Sequence, residues 1–358
     1  MQNTNYLCGK CVYANTETHY QTGATLNTMK KLYHIDITSH SEVIARQEAD
    51  FGFILNAIAA TAFACNAELL ADAEMSTHIH LVGFFENPMK FCMQLKIRLT
   101  KEFNFRYLRS GAMWDRGFFC IELEGINHIT TAISYVLRNG LHHGQASCAF
   151  GYKYCAVNEF FAKDRGLTPA KPSITSRNEI ALHLPQHTEF PDEYAMDSNG
   201  VFLRSTFMDL QKVEILYRTP RSYITNLNRL TSEEWLKEQD KDSESLGYEA
   251  PRIDLTRIER RIDTKGMETL LKNERGYTFY DHPVSDIDVC KIIDNDYVPT
   301  MKVNRKRAQS IYQLSESQRL LIAEEICHIY HIPASQIRRT VILPKWDLNP
   351  THSARGFR

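Results

Sequence analysis

The feature that most constrains the fold is a pair of histidines two positions apart, His78 and His80, within residues 75–85. Ile79, Val82 and Phe84 supply the β-branched and aromatic content of a strand. Because side chains two apart on a strand project from the same face, the two imidazoles stand side by side while Ile79 points into the core. The pair is therefore either half of a divalent-metal site or two ordinary polar residues on a solvated face, and a motif this short does not decide between them.

Composition limits the classes of protein to consider. A chain of 358 residues predicts two or three domains, and 43% hydrophobic with 24% charged residues is typical of a globular protein. The net charge of −1 excludes a basic signature over the whole chain, so contact with nucleic acid requires local patches. Nine irregularly spaced cysteines and no charged-then-apolar leader predict a reduced, soluble cytoplasmic protein. The apolar run 53–65 is too short to span a bilayer, so no membrane partner is expected.

The residues before the histidine pair predict a strand, a helix and a further strand. Residues 32–38 alternate as a first strand. Residues 41–65 predict a helix with one apolar stripe formed by Phe51, Leu55, Ile58 and Ala62. Strands are then expected at 67–75 and 77–85, and their short connection predicts a hairpin.

A basic helix is predicted after the histidine strand, ending near residue 107. Asn87 can cap its N-terminus and Pro88 suits its first position. Its buried stripe consists of Cys92, Leu95, Leu99 and Phe103. Its remaining surface suits either solvent or a phosphate backbone, because it carries the cations Lys90, Lys96, Arg98, Lys101, Arg106 and Arg109. Residues 117–122 predict a fourth strand.

A third helix is predicted over residues 125–140, stopped by Gly140. Ile126, Ile129, Ile133 and Val136 form its apolar face, and His128, Thr131, Tyr135 and Asn139 lie on a polar face. Tyr135 and Asn139 are four residues apart and so are neighbours on one side of the helix. Taken by themselves, they are better explained as a packing tyrosine and a C-terminal cap than as functional residues.

The order of these elements resembles the single-tyrosine HUH transposases, above all their REP-associated tyrosine transposase (RAYT) branch. Three motifs of this chain carry the resemblance: His78-Ile79-His80, Met113-Trp114-Asp115-Arg116-Gly117-Phe118, and Tyr135-Val136-Leu137-Arg138-Asn139-Gly140-Leu141. The resemblance covers residues 32–161. The chain departs from the family pattern by Gly140 in place of proline, by Thr77 in place of Asn or Glu, and by the inserted pair His142 and His143.

This resemblance implies an α+β fold, a ferredoxin-like antiparallel sheet with helices on one face, and a mainly helical C-terminal region. It also implies a metal-dependent endonuclease and strand transferase acting on single-stranded or hairpin DNA. His78, His80 and Asn139 would hold Mg²⁺ or Mn²⁺, and Tyr135 would attack to leave a 5′-phosphotyrosine link and a free 3′-hydroxyl. The family further implies a homodimer.

Aromatic residues near the basic helix are candidates for stacking on bases. Phe105, Tyr107 and Trp114 serve either this role or core packing, and Arg116 lies beside Trp114 as a further DNA-binding candidate. Two zinc sites are also conceivable. Cys8 and Cys11 have zinc-knuckle spacing without a second pair. The other candidate set is His142, His143, Cys148 and Cys155.

The resemblance implies a nuclease domain at 30–162, and composition predicts a partly ordered polar connector at 163–250 and a helical region at 251–345. The connector holds several prolines, with a short element possible at 201–217. In the last region, Ser315 and Gln318 resemble a capping box. The helix, turn and second helix that follow resemble a helix-turn-helix, in which Gln336, Arg338 and Arg339 would read a duplex. A helical bundle for dimer contacts is the alternative.

Two alternative functions remain open. One is a domesticated binder of structured DNA or RNA that does not cut; the retained histidines, Tyr135 and Asn139 argue against it. The other is a replication-initiator or relaxase-like HUH nickase that reseals one strand. The chain lacks a helicase-type phosphate loop, which argues against a large initiator and predicts no nucleotide cofactor.

Overall fold

Four antiparallel strands form the central sheet in the computed structural model, which describes residues 29–39, 42–114, 117–228, 241–242, 245–246, 284–330 and 332–343. The strands are β1 (Lys31–Thr38), β2 (Glu68–Glu74), β3 (His78–Phe85) and β4 (Phe119–Glu122). They lie in the order β2-β3-β1-β4, and every neighbouring pair is antiparallel. Together with the helices below, this sheet confirms the predicted α+β class.

The predicted hairpin joins β2 to β3. The backbone N–H of Met75 donates to the carbonyl of His78 at 2.8 Å, which closes a tight turn just before the histidine strand. Pairing of β1 with β3 then places Thr38 opposite His78 and Asp36 opposite His80. The hairpin and this register fix the two histidines in the middle of the sheet.

The two faces of the sheet differ in chemistry because side chains alternate along each strand. One face carries the fully buried Ile35, Ile37, Ile79 and Leu81. The other face carries His34, His78 and His80, by the register of β1 with β3. One face is therefore core and the other is polar.

Helices α1 (Glu48–Ala64) and α2 (Pro88–Arg106) contact each other and cover the apolar face. Their predicted stripes are buried: Phe51, Leu55, Ile58 and Ala62 on α1, and Cys92, Leu95, Leu99 and Phe103 on α2. Asn87 Oδ1 accepts the N–H of Lys90 at 2.9 Å, which confirms the predicted cap. Helix α1 starts later than residue 41 because the Asp50 carboxylate accepts the backbone N–H groups of Arg46 and Gln47, which hold the chain extended.

Helix α3 (Ile126–Leu137) packs on β2 and β3 and brings Tyr135 to the histidine face, opposite α1 and α2. Not all helices therefore lie on one face. His128 and Thr131, predicted on a polar face, are buried, whereas Ile126 is 47% exposed. The reason is that α3 is covered on a second side by the helices α7 (Leu210–Tyr217) and α8 (Pro220–Leu227). A single turn, α4 (Asn139–His142), follows α3.

The described part of residues 163–228 contributes to the same core as the sheet. It contains α5 (Arg177–Leu182), α6 (Arg204–Phe207), α7 (Leu210–Tyr217) and α8 (Pro220–Leu227). The core takes from it Phe190, Met196, Phe202, Val213, Tyr217, Tyr223 and Leu227. Asn56 of α1 binds its backbone at both Gly200 O and Phe202 N, each at 2.8 Å.

A second hydrophobic core lies within residues 289–343. It is built from α9 (Asp286–Ile292), α10 (Glu316–Tyr330), α11 (Ala334–Val341) and a short hairpin of β5 (Lys302–Val303) and β6 (Lys306–Arg307). Ser315 and Gln318 form the predicted capping box, since each backbone N–H donates to the other's side chain.

The C-terminal core is docked on the sheet domain by polar contacts. The fully buried Arg46 forms an ion pair with Asp294 at 2.9 Å and donates to the carbonyl of Thr340. Ser76 donates to Asp286 at 2.6 Å, two residues before His78. In the described part of the chain, no helix combines the length and apolar character needed to cross a membrane.

Candidate functional site

The two strand histidines stand side by side, as their spacing predicts. The ring centroids of His78 and His80 are 4.9 Å apart, and the side chains are almost completely buried. Both rings point to the polar face of the sheet. They are therefore covered by other residues on that face and are not part of the apolar core. The interpretation of the pair as polar residues on a solvated face is therefore excluded.

A third histidine, His34 on β1, completes this face of the sheet. Its Nε2 lies 3.2 Å from Nδ1 of His80, within hydrogen-bond distance. Burial, and secondarily the nearby His128, lowers the pKa of His34 to about 3. Sequence reasoning missed His34, although it lies in the predicted first strand. The β1–β3 register brings it near His80, and a register of this kind is not visible in either strand alone.

Tyr135 faces these histidines from α3. Its ring centroid lies 5.6 Å from that of His34 and 5.4 Å from that of His80, both edge to face. The apolar side chains of Ile133, Val136 and Leu137 fix the helix because all three are fully buried. Tyr135 itself is only partly buried, so its phenol sits at the border between the histidine face and solvent.

Asn139 lies at the start of α4, one turn beyond Tyr135. Its side-chain nitrogen donates to the carbonyl of Tyr135 at 3.3 Å. Its side-chain oxygen is buried and has no hydrogen-bond partner among the described residues. A buried carbonyl oxygen without a donor is costly, so this oxygen is open to a ligand.

Two further histidines close the site. The ring of His143 lies 4.8 Å from that of His78, and the ring of His142 lies 6.4 Å from that of Tyr135. We call His34, His78, His80, His142 and His143 the histidine cluster. The pKa of His80 is lowered well below its usual value, mainly by burial and secondly by its histidine neighbours. The His80 ring is therefore neutral.

The site has side-chain nitrogen and oxygen atoms that can coordinate a divalent cation. Nδ1 of His80 is engaged by His34 and Nδ1 of His78 lies 3.0 Å from Thr77 Oγ1. An imidazole hydrogen-bonded at one nitrogen coordinates through the other. The imidazoles of His78 and His80 and the unpartnered oxygen of Asn139 are therefore donors of the kind that bind a divalent cation.

No set of three or more His, Cys, Asp and Glu side chains within the described residues is arranged to hold a metal. The set His142, His143, Cys148 and Cys155 is thus not a zinc site in this structure; Cys148 is exposed while the Cys155 thiol contacts the carbonyl of Tyr152. Cys8 and Cys11 lie outside the described residues.

The N-terminus of α3 is capped from a distant part of the chain. Gly125 precedes the helix at φ 85° and offers no side chain. The carboxylate of Asp242 instead accepts the backbone N–H groups of Asn127 at 3.2 Å and His128 at 2.6 Å. A carboxylate at this end also complements the helix dipole. Asp242 therefore helps hold the helix that presents Tyr135.

The predicted DNA-binding cations fall into two groups. Lys90, Lys101 and the aromatic Phe105 are exposed on α2, and Arg98 is partly exposed. The others are engaged within the protein: Arg109 pairs with Glu42, Arg106 pairs with Glu102 at 2.7 Å, and Lys96 donates to the carbonyl of Gly117.

Two of the aromatic candidates are also engaged: Trp114 donates to the carbonyl of Lys96, and Tyr107 donates to Asp50. Arg116 lies outside the described residues. Their contact with DNA stays a prediction.

The C-terminal candidates are also partly engaged. Gln336 donates to the carbonyl of Val284 at 2.7 Å, and Arg339 pairs with Asp286 at 2.7 Å. Arg338 is exposed. Two of the three predicted reading residues of α11 are thus engaged by Val284 and Asp286 of the same chain. Duplex reading by these residues stays a prediction.

Comparisons with known proteins find similarity in structure but not in sequence. No family model matches the chain, and no curated protein matches it. Among solved structures, the chain is similar to a REP-associated tyrosine transposase bound to a REP hairpin, at 13% identity and a TM-score of 0.33. The match covers 42% of this chain and 89% of that one.

Proposed function

We propose that this chain is a metal-dependent endonuclease and strand transferase for single-stranded DNA, with Tyr135 as its nucleophile. One observation supports this above all: the Tyr135 ring lies against His80 and His34, one helical turn from the unpartnered amide oxygen of Asn139. The proposed nucleophile thus lies beside His80, one of the two proposed histidine ligands, on one face of the sheet. The strand order β2-β3-β1-β4, with a helix after β1 and another after β3, supports the ferredoxin-like arrangement of such a domain.

The site's own residues account for binding and orientation. His78, His80 and Asn139 would hold Mg²⁺ or Mn²⁺, which supplies charge neutralisation at an anionic phosphate oxygen. Neutral imidazoles favour Mn²⁺ over Mg²⁺, which prefers oxygen ligands. His34 orients the His80 ring through its hydrogen bond. The exposed cations Lys90 and Lys101 would meet the backbone of the strand.

The bond changes of the proposed reaction balance without a further reactant. The Tyr135 oxygen forms a bond to phosphorus while the bond from phosphorus to the 3′-oxygen breaks. The phenol proton is transferred, directly or through water, to the departing 3′-oxygen. The product is a 5′-phosphotyrosine link and a 3′-hydroxyl, so the bond energy is conserved for rejoining the strand to another 3′-hydroxyl.

The test is incubation of labelled single-stranded hairpin oligonucleotides with protein and Mn²⁺, followed by denaturing gels. Wild type should give a protein-linked 5′ product that Tyr135→Phe does not form. Tyr33→Phe is the matched control, because Tyr33 lies on β1 next to His34 but on the opposite face; it should cut normally. Cutting that survives in Tyr135→Phe would overturn the assignment, and EDTA-insensitive binding without cutting would favour a domesticated binder.

A further inference from the structure

A compact basic hairpin projects from the C-terminal core. Residues 302–307 include four cations and no acid: Lys302, Arg305, Lys306 and Arg307. All four side chains are exposed, and none forms an ion pair with any described residue. The hairpin therefore differs from α2 and α11, where Arg106 and Arg339 pair with carboxylates of the same protein.

The hairpin is held in a defined shape. Lys302 pairs with Arg307 and Val303 with Lys306 across a two-residue turn. The turn residues Asn304 and Arg305 both have positive φ, 49° and 67°, which is the geometry of a tight hairpin turn. The turn itself places Arg305 at the tip, and the pairing places Lys302 and Arg307 on one face.

The hairpin is also anchored to a platform, the C-terminal core. Val303 packs against the C-terminal core, and Gln318 of α10 donates to the carbonyl of Lys302 at 3.2 Å. The N–H of Ala308 donates to the carbonyl of Met301 at 2.9 Å at the base of the hairpin. The platform in turn contacts the sheet domain through Arg46 and Ser76. The cations are therefore positioned relative to the histidine cluster rather than carried on a free tail.

We propose that residues 302–307 bind the phosphate backbone of a DNA duplex, such as the stem beside a single-stranded cleavage site. This inference rests on the proposed function for the choice of DNA as the partner. A two-stranded ribbon fits the major groove of B-DNA, and unpaired lysine and arginine side chains on it neutralise phosphates. Such contacts position the duplex without reading its sequence.

The test measures binding alone, in full-length protein carrying Tyr135→Phe, so that its result is independent of cleavage. The hairpin variant is Arg305→Asn, Lys306→Gln and Arg307→Gln, with Asn chosen because it tolerates positive φ. The matched control removes three exposed cations outside the hairpin, Lys163→Gln, Lys171→Gln and Arg221→Gln. The probes are a labelled DNA hairpin, its unpaired single strand, and an RNA stem of the same sequence.

The hairpin variant should bind the DNA hairpin about tenfold or more weakly, and the slope of log affinity against log salt should flatten by about 2–3. Binding of the single strand should be unchanged, and the control variant should behave like the parent. Unchanged affinity of the variant for the DNA hairpin would overturn the proposal. An equal loss of affinity for the DNA hairpin and the single strand would also overturn it, as would a larger loss of affinity for the RNA stem. A protein that never cuts DNA but shows the expected losses would refute the nuclease assignment and leave this inference standing.

Discussion

The imidazole of His34 on β1 contacts that of His80 on β3, with Nε2 and Nδ1 3.2 Å apart. Both rings are buried, and burial keeps both neutral at physiological pH, so one nitrogen must donate and the other accept. His34 thereby fixes the orientation of the ring that we propose as a metal ligand.

Replacing His34 should weaken metal use without removing the nucleophile. His34→Ala removes the partner of His80 Nδ1, and loss of such outer partners typically costs about 10–100-fold in metal affinity. The Mn²⁺ concentration that gives half-maximal cleavage should therefore rise, and the cleavage rate should recover at saturating Mn²⁺. A variant that loses activity at every Mn²⁺ concentration while folding normally would contradict this positioning role.

Gly140 should not tolerate a side chain. A Cβ at this position would lie 2.2 Å from the Tyr152 ring, whose hydroxyl donates to the carbonyl of Glu74 at 2.7 Å. Gly140→Ala should cost about 1–3 kcal/mol of unfolding free energy, since overpacking forces neighbours to move. Gly151→Ala is the control, because its Cβ would meet only ordinary contacts at 3.4 Å or more. Equal denaturant midpoints for the two variants would refute this.

Arg204 holds two buried carboxylates at the edge of the sheet. It pairs with Asp72 and Glu74, each at 2.9 Å, and all three side chains are nearly inaccessible. Arg204→Met leaves these carboxylates buried without a counter-charge and should cost about 3–5 kcal/mol. Arg177→Met breaks an exposed pair with Asp192 and should cost less than about 1 kcal/mol. Chemical denaturation of both variants measures the contrast, and a small loss for Arg204→Met would show that the triad is dispensable.

His128 should make stability depend on pH. Burial lowers its pKa from 6.5 to about 4 in the folded protein. Above pH 6.5 the ring is neutral in both states; as pH falls from 6.5 to 4, protonation of the unfolded chain reduces stability. The loss should reach about 2–3 kcal/mol and be absent from His128→Gln. Unfolding free energies of both proteins at pH 7, 5 and 4 check this. Parallel curves would mean that His128 does not titrate differently on folding.

The sequence predicts those pairs of site residues that lie only a few positions apart in the chain. His78 and His80 share a face because they are two apart on a strand, and Tyr135 and Asn139 are adjacent because they are four apart along a helical path. His34 depends on the pairing of β1 with β3, which joins residues 46 positions apart. No local pattern reports such a register.

The presence of a charged residue in the sequence also does not show whether its side chain is free to bind a ligand. Arg109 and Arg339 have the spacing of surface residues, yet their carboxylate partners Glu42 and Asp286 lie 67 and 53 positions away in the chain. Tertiary contacts of this length decide whether a cation is available to a ligand. The exposed hairpin at 302–307 keeps its cations available because no acid lies within it or pairs with it among the described residues.

The most direct measurement of the central claim is the site of covalent attachment to DNA. The protein is incubated with a single-stranded hairpin oligonucleotide and Mn²⁺, denatured and digested with protease, and the peptide carrying the nucleotide is sequenced by mass spectrometry. We expect a phosphodiester on Tyr135, absent without Mn²⁺ and absent from Tyr135→Phe. An adduct on any other residue, or cleavage that proceeds with no protein–DNA adduct, would contradict it.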